Sequence, residues 1–90
     1  MPDIRQNVAR HRYEFDTEAG AALAFYRLQD GVMTFTHTEV PAALRGRGIG
    51  SAMMRAALAD VRAQGLKVIA ACPFVADYID RHSEFSDLLA

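Results

Sequence analysis

Thiols are nearly absent from this sequence. Cys72 is the single cysteine, which excludes an internal disulfide framework and any CxxC zinc or redox site. No metal centre is expected. Long apolar runs are missing as well, and none approaches the roughly 20 residues that span a bilayer. The opening stretch MPDIRQNVARHRYEF is mixed polar and has no apolar h-region, so it does not read as a secretory signal. Charge of either sign is not in excess. The net charge is −1, so composition makes no electrostatic case for a nucleic acid or a membrane as partner. Repeats and low-complexity tracts are lacking too. These absences leave a cytoplasmic chain as the expectation. A hydrophobic fraction of 51% and a charged fraction of 23% then place it among ordinary globular domains. Ninety residues make one domain, with a modest core that removes roughly 60–65% of the unfolded surface from water.

What is present changes character halfway along. Val8–Phe15 alternates loosely and reads as a strand, and Asp16–Gly20 is turn chemistry. Ala21–Leu28 is a second candidate strand, with Leu23, Phe25 and Arg27 on one face and Ala24, Tyr26 and Leu28 on the other. The Asp30-Gly31 pair between apolar runs signals a hairpin. Val32–Val40 is rich in β-branched and aromatic residues, and Pro41 ends it because proline cannot donate to a ladder. Phe15, Phe25 and Phe35 read as core. From Gly50 to about Gln64 the period lengthens: Met54, Ala57, Leu58 and Val61 form the apolar stripe of an amphipathic helix, which Gly65 stops. Leu66–Cys72 is a nearly continuous apolar run, as in a strand buried on both faces, and Pro73 closes it. Phe74–His82 is a short helix candidate with Phe74, Val75, Tyr78 and Ile79 facing inward, and the tail SEFSDLLA adds a turn. The expected order is β-β-β-α-β-α in an α/β fold with a mixed sheet. Val32–Cys72 is its βαβ unit, with a parallel strand pair and a right-handed crossover.

Between strand and helix lies the most informative stretch, LRGRGIGS. A helix N-terminus leaves four backbone N–H groups without intrahelical partners and carries about half a positive charge. Glycines remove the Cβ atoms that would hold a ligand off and permit unusual φ values. The combination suits a phosphate or pyrophosphate, and Arg45, Arg47 and Ser51 can add charge and a hydroxyl. A P-loop is ruled out because no Gly-Lys pair occurs. A GxGxxG dinucleotide fingerprint starting at Gly46 would need glycine where Ser51 stands. The pyrophosphate loop of acyl-CoA enzymes, (Arg/Gln)-x-x-Gly-x-(Gly/Ala), is met in full by Arg45-Gly46-Arg47-Gly48-Ile49-Gly50. The bland alternative is a tight strand-to-helix turn. It accounts for three glycines poorly, since each adds to the entropy lost on folding.

Through HTEVP, LRGRGIGSAMMRAAL and CPFVADYIDRH the sequence resembles the GNAT superfamily of N-acetyltransferases, and more closely its small single-domain branch. The resemblance runs over roughly residues 6–90, leaving residues 1–5 as an N-terminal extension. It implies a minimal GNAT-like fold whose parallel pair splays apart to admit the thioester. By the same resemblance, acetyl-CoA is the acyl-donor substrate. Glu39 and Val40 would meet its pantetheine arm. Arg45 holds the motif's first position, and the pyrophosphate would rest on the amides of Arg47, Gly48, Ile49, Gly50 and Ser51. The implied reaction is acetyl transfer to an amine, which needs a base, an oxyanion donor and a proton for the departing thiolate.

His37 and Glu39 are the base candidates, two apart on one strand and so on one face; both also read as ordinary strand residues. Cys72 stands at a strand end before a helix N-terminus, a place that favours the thiolate. It is a candidate nucleophile or proton donor, or else a small buried hydrophobe. Tyr78 falls near the place where many GNAT enzymes carry a tyrosine that donates to the CoA sulfur, and it also suits the core. The chain is shorter than typical members, and its residues before Arg45 offer no helix for an acceptor site. Either the open side admits a large acceptor, such as a protein lysine or N-terminus, or a second subunit of a homodimer completes it. A CoA-binding module with little transferase activity is the alternative function, and a purely structural interaction domain the third.

Overall fold

The computed structural model describes residues 4–90. The chain forms β1 (Ile4–Asn7), β2 (Arg12–Thr17), β3 (Gly20–Gln29), β4 (Val32–Glu39), α1 (Ile49–Ala63), β5 (Lys67–Ala70) and α2 (Pro73–Arg81). Short 3-10 turns lie at Val8–Arg10, Ala42–Leu44 and Ser83–Leu88. The five strands make one sheet in chain order, antiparallel from β1 to β4, with β5 parallel to β4. The mixed α/β architecture is therefore as expected, and the order is corrected to β-β-β-β-α-β-α. The additional strand, Ile4-Arg5-Gln6-Asn7, carries too little apolar pattern to announce itself; pairing with β2 makes it a strand. It takes in Ile4 and Arg5, which the expected extension 1–5 placed outside the domain; residues 1–3 lie outside the described residues.

Local chemistry sets the boundaries. The expected strand Val8–Phe15 begins only at Arg12, because the Asn7 side chain accepts the Arg10 N–H and folds Val8–Arg10 into a turn that His11 closes at φ 53°. The Asp30-Gly31 hairpin forms as expected, with both residues at positive φ (52° and 77°), as a type I′ turn requires.

One face of the sheet carries the core. Tyr13 and Phe15 of β2, Ala22, Ala24 and Tyr26 of β3, Met33 and Phe35 of β4, and Val68 of β5 pack in a single buried cluster. Met53, Met54, Ala57, Leu58 and Val61 of α1, with Val75, Tyr78 and Ile79 of α2, complete it. The small side chains of Ala22, Ala24 and Ala57 let helix and sheet approach closely. Among the described residues the other face carries no helix, which corrects two expectations. β5 is not buried on both faces: Val68 is buried, whereas Ile69 is 47% exposed and Lys67 is exposed. Both helices among the described residues pack in the one core cluster. Phe25 likewise leaves the core and lies half-buried on the bare face. Phe74, expected to face inward, is 37% exposed.

Two irregularities in β4 shape the end of the sheet that meets α1. The β3–β4 register shifts between Phe25, paired with His37, and Tyr26, paired with Phe35, which leaves Thr36 as the extra residue of a β-bulge. The bulge reverses the alternation. Met33 and Phe35 face the core, while His37 and Glu39 face the bare side, because a one-residue slip moves side chains to the opposite face. Farther across the sheet, the β4–β5 pairing ends. The Phe35 carbonyl accepts from both Ala71 N–H (3.1 Å) and Cys72 N–H (3.0 Å). Beyond that point Pro73 leads into α2 while β4 continues to Glu39, so the parallel pair splays apart.

Candidate functional site

The connection from β4 to α1 builds the site. After Glu39 the chain passes Val40 and Pro41, makes the 3-10 turn Ala42–Leu44, and reaches Arg45 in an extended conformation. Gly46 and Gly48 both sit in the left-handed region (φ 83° and 74°), and Gly48 caps α1. Gly50 is helical, and its glycine has another cause. A Cβ there would lie 2.8 Å from Cζ of the Phe74 ring and 3.5 Å from Cγ2 of Val40. Two glycines thus serve backbone direction and one serves close packing of α1 against α2 and the end of β4. A Cβ at Gly46 or Gly48 would meet no protein atom within 4 Å, so that side of the loop is open to a ligand.

The amides have the arrangement of an anion site. Helical bonding starts with Ala52 N–H donating to the Gly48 carbonyl at 3.0 Å, so the N–H groups of Gly48, Ile49, Gly50 and Ser51 have no intrahelical acceptor. No side chain caps this end, and no acidic residue occupies the first turn. α1 is 15 residues long, so its dipole adds to the positive field. Arg45 and Arg47 are exposed, and neither joins an ion pair among the described residues. The Arg47 amide differs from its neighbours: it donates to the Leu44 carbonyl at 3.2 Å and so is spent in the turn.

A groove of about 640 Å³ runs along this loop. Of the residues expected to hold the acyl donor, Glu39, Val40, Arg45, Gly46, Gly48, Ile49, Gly50 and Ser51 all line it, and Arg47 does not. His37 lines it too. Its Nε2 lies 3.2 Å from Oε2 of Glu39, and both side chains are more than half exposed. Cys72 is buried at the branch of the splayed strands, its Sγ 3.7 Å from Oγ1 of Thr38, which does line the groove. The thiol therefore stands one side chain behind the wall. Tyr78 does not line the groove. Its ring is buried and stacks on His82 with centroids 4.0 Å apart and planes 13° from parallel, with Phe85 6.2 Å away. The structure thus gathers His37, Glu39 and the glycine loop, places Cys72 just behind them, and puts Tyr78 in the packing of α2 against the C-terminal tail.

Three groove residues were not foreseen: Thr38, Leu44 and Phe74. Thr38 reaches toward Cys72 only because of the bulge, which no local pattern announces. The glycine at position 50 is the signal that could have placed Phe74, since a helical glycine implies a close neighbour.

Behind the groove, the bare face carries an ion cluster. The Glu14 carboxylate accepts from Arg12 Nε (2.7 Å), Asn7 Nδ2 (3.0 Å) and Arg5 Nε (3.0 Å). These donors, Arg12 foremost, hold its pKa down at about 2. On the core side, the Tyr13 hydroxyl donates to Oδ2 of Asp60 at 2.6 Å. Burial first, and then that bond to a carboxylate, raises its pKa.

A family model described as GCN5-related N-acetyl-transferase matches residues 12–88. Among solved structures, the solution structure of a GCN5-like candidate N-acetyltransferase from Staphylococcus aureus superposes with a TM-score of 0.74. The two sequences are 26% identical over 98% of this chain and 87% of that one.

Proposed function

The chain belongs to the GCN5-related N-acetyltransferase family, and on that premise we propose that it transfers an acetyl group from acetyl-CoA to an amine. One observation carries the donor half of this reading: the unpartnered amides of Gly48, Ile49, Gly50 and Ser51 open onto a groove that leads back to the strand split. A pyrophosphate fits them in charge, in donor number and in the space left by the missing Cβ atoms. Arg45 adds positive charge at the groove wall. The backbone of Glu39 and Val40 lies beyond the last β4–β5 pair, and it is suited to an amide-bearing arm, as an extra strand pairs with an edge.

Bound there, acetyl-CoA would supply an activated thioester. The protein's part is to orient it, take a proton from the amine and help the sulfur leave. His37, bonded to Glu39 at 3.2 Å, is the better-placed base, because it faces the groove and its partner can stabilise the imidazolium formed. Cys72, beside Thr38, is the candidate proton donor to the departing CoA thiolate, or else the nucleophile that takes the acetyl group from the carbonyl carbon first as that thiolate leaves. Tyr78 is not used in this reading. The bare sheet face leaves the acceptor side unobstructed, which favours an amine on a large molecule such as a peptide.

Calorimetric titration with acetyl-CoA, and with CoA as control, tests the donor site. Saturable binding is expected, and Gly48→Glu should abolish it by placing a side chain and a negative charge in the cradle. Undiminished affinity in that variant overturns the loop assignment. A turnover screen over lysine peptides, peptide N-termini and polyamines comes next. Saturable binding with no turnover on any of them would leave a CoA-binding module. Cys72→Ala should keep acetyl-CoA binding and lower turnover about tenfold; unchanged turnover returns Cys72 to a packing role.

A further inference from the structure

On the bare face, two neighbouring cross-strand rows lead from the Glu14 cluster to the groove. Asn7, Arg12, Phe25 and His37 are successive register partners from β1 to β4, and so are Arg5, Glu14, Leu23 and Glu39. One continuous series of contacts runs through them from Glu14 to Glu39. Arg12 is held by Glu14 at 2.7 Å, and its guanidinium lies 5.7 Å from the centre of the Phe25 ring. That ring stacks on His37 with centroids 5.8 Å apart and planes 28° from parallel. His37 then meets Glu39 at 3.2 Å. The bulge at Thr36 brings His37 into this row.

We propose that Phe25 is a positioning residue for His37, braced in turn by Arg12 and Glu14. The proposal rests on His37 serving as the base of acetyl transfer. An imidazole as exposed as this one would otherwise sample several rotamers. Stacking against Phe25 fixes the plane of the ring, and Glu39 fixes the direction of Nε2; the two constraints together leave one orientation at the groove wall. Phe25 needs a constraint of its own, because no helix among the described residues packs on its face of the sheet. Arg12 supplies that constraint, since a planar guanidinium can lie over an aromatic face while its Nε bonds a carboxylate. A half-buried phenylalanine on a bare face, backed by a carboxylate with three donors, thereby acquires a role. Phe25 does not line the groove, so it acts through His37 and not on the acyl donor.

Two readouts test this on the full chain. In the protein without ligand, the ring-proton NMR signals of His37 should move downfield in Phe25→Leu as the ring current is lost, and return toward wild type in Phe25→Tyr. With acetyl-CoA and the best amine from the screen, Phe25→Leu should lower kcat about tenfold with the KM for acetyl-CoA unchanged. Phe25→Tyr should restore it, and His37→Gln should lower kcat about a hundredfold. Arg12→Lys keeps a charge beside Glu14 but loses the planar stack, and should shift the same His37 signals by less. Unchanged His37 signals in Phe25→Leu overturn the positioning role. An equal kcat loss in Phe25→Leu and Phe25→Tyr also overturns it, because a general disturbance of the sheet would do that. Wild-type turnover in His37→Gln overturns the base assignment beneath the proposal, whatever the NMR signals do.

Discussion

Gly50 and Gly48 lie two residues apart and should respond differently to alanine. At Gly48, φ is 74°, so Gly48→Ala puts a side chain into left-handed backbone and should cost about 1–2 kcal/mol, measured by urea denaturation. At Gly50 the backbone is ordinary, and the obstacle is the Phe74 ring at 2.8 Å. That ring is 37% exposed and can swing outward. Gly50→Ala should therefore change stability by less than about 1 kcal/mol. It should weaken acetyl-CoA binding about tenfold, since Phe74 swings into the groove it lines. Glu14 gives a pH prediction. Its folded pKa of about 2 lies below the ordinary 4.5, so its contribution is complete above about pH 4.5 and is lost as pH falls toward 2. Denaturation midpoints should drop across that window, and Glu14→Gln should flatten the drop. Asp87, lowered by its bonds to Arg62, adds to it in the same direction. An unchanged slope in Glu14→Gln would contradict the assignment.

At the scale of elements, α1 links the core to the site. Its apolar stripe packs on the sheet while its first turn faces the groove, so the two functions can be separated by mutation. Leu58→Ala should cost about 2–4 kcal/mol by leaving a cavity against the sheet. At temperatures where the variant is folded, acetyl-CoA affinity should be unchanged. Tyr13 fastens β2 to the same helix through Asp60. Tyr13→Phe should cost about 1–3 kcal/mol, because it removes a part-buried bond to a charged acceptor. The α1 stripe was legible in the sequence, since an apolar period of 3.6 sustained over the whole helix matches no strand or loop. β1 was not: four residues with one strong hydrophobe become a strand only when β2 offers its edge.

Among the described residues the fold is a sheet with both helices on one side and no helix on the other. Its stability is expected at about 5–13 kcal/mol, the usual range for 90 residues, so single packing elements weigh heavily. The C-terminal tail is one of them. It buries Phe85 and Leu88, and Ala90 N–H donates to the Val68 carbonyl at the edge of β5. Deleting residues 83–90 removes two buried side chains worth about 1.5–3 kcal/mol each. It should lower the melting temperature by more than about 10 °C, as followed by circular dichroism. A smaller fall would mean that the tail adds little to the core.

Sequence alone determined what depends on neighbours along the chain. The glycine loop and its unpartnered amides, the hairpin at Asp30-Gly31, the amphipathic α1 and the mixed sheet all stem from local rules of backbone freedom, proline and periodicity. Tertiary structure decided which side chains meet. The bulge at Thr36 turned His37 and Glu39 to the bare face and Thr38 toward Cys72. The single helical layer left Ile69 and Phe25 outside the core. The packing of α2 on the tail set the Tyr78 ring against His82 and Phe85. Each of these depends on pairing between strands or helices distant in the chain, and strand register reverses with a single extra residue. No local pattern in the sequence carries that information.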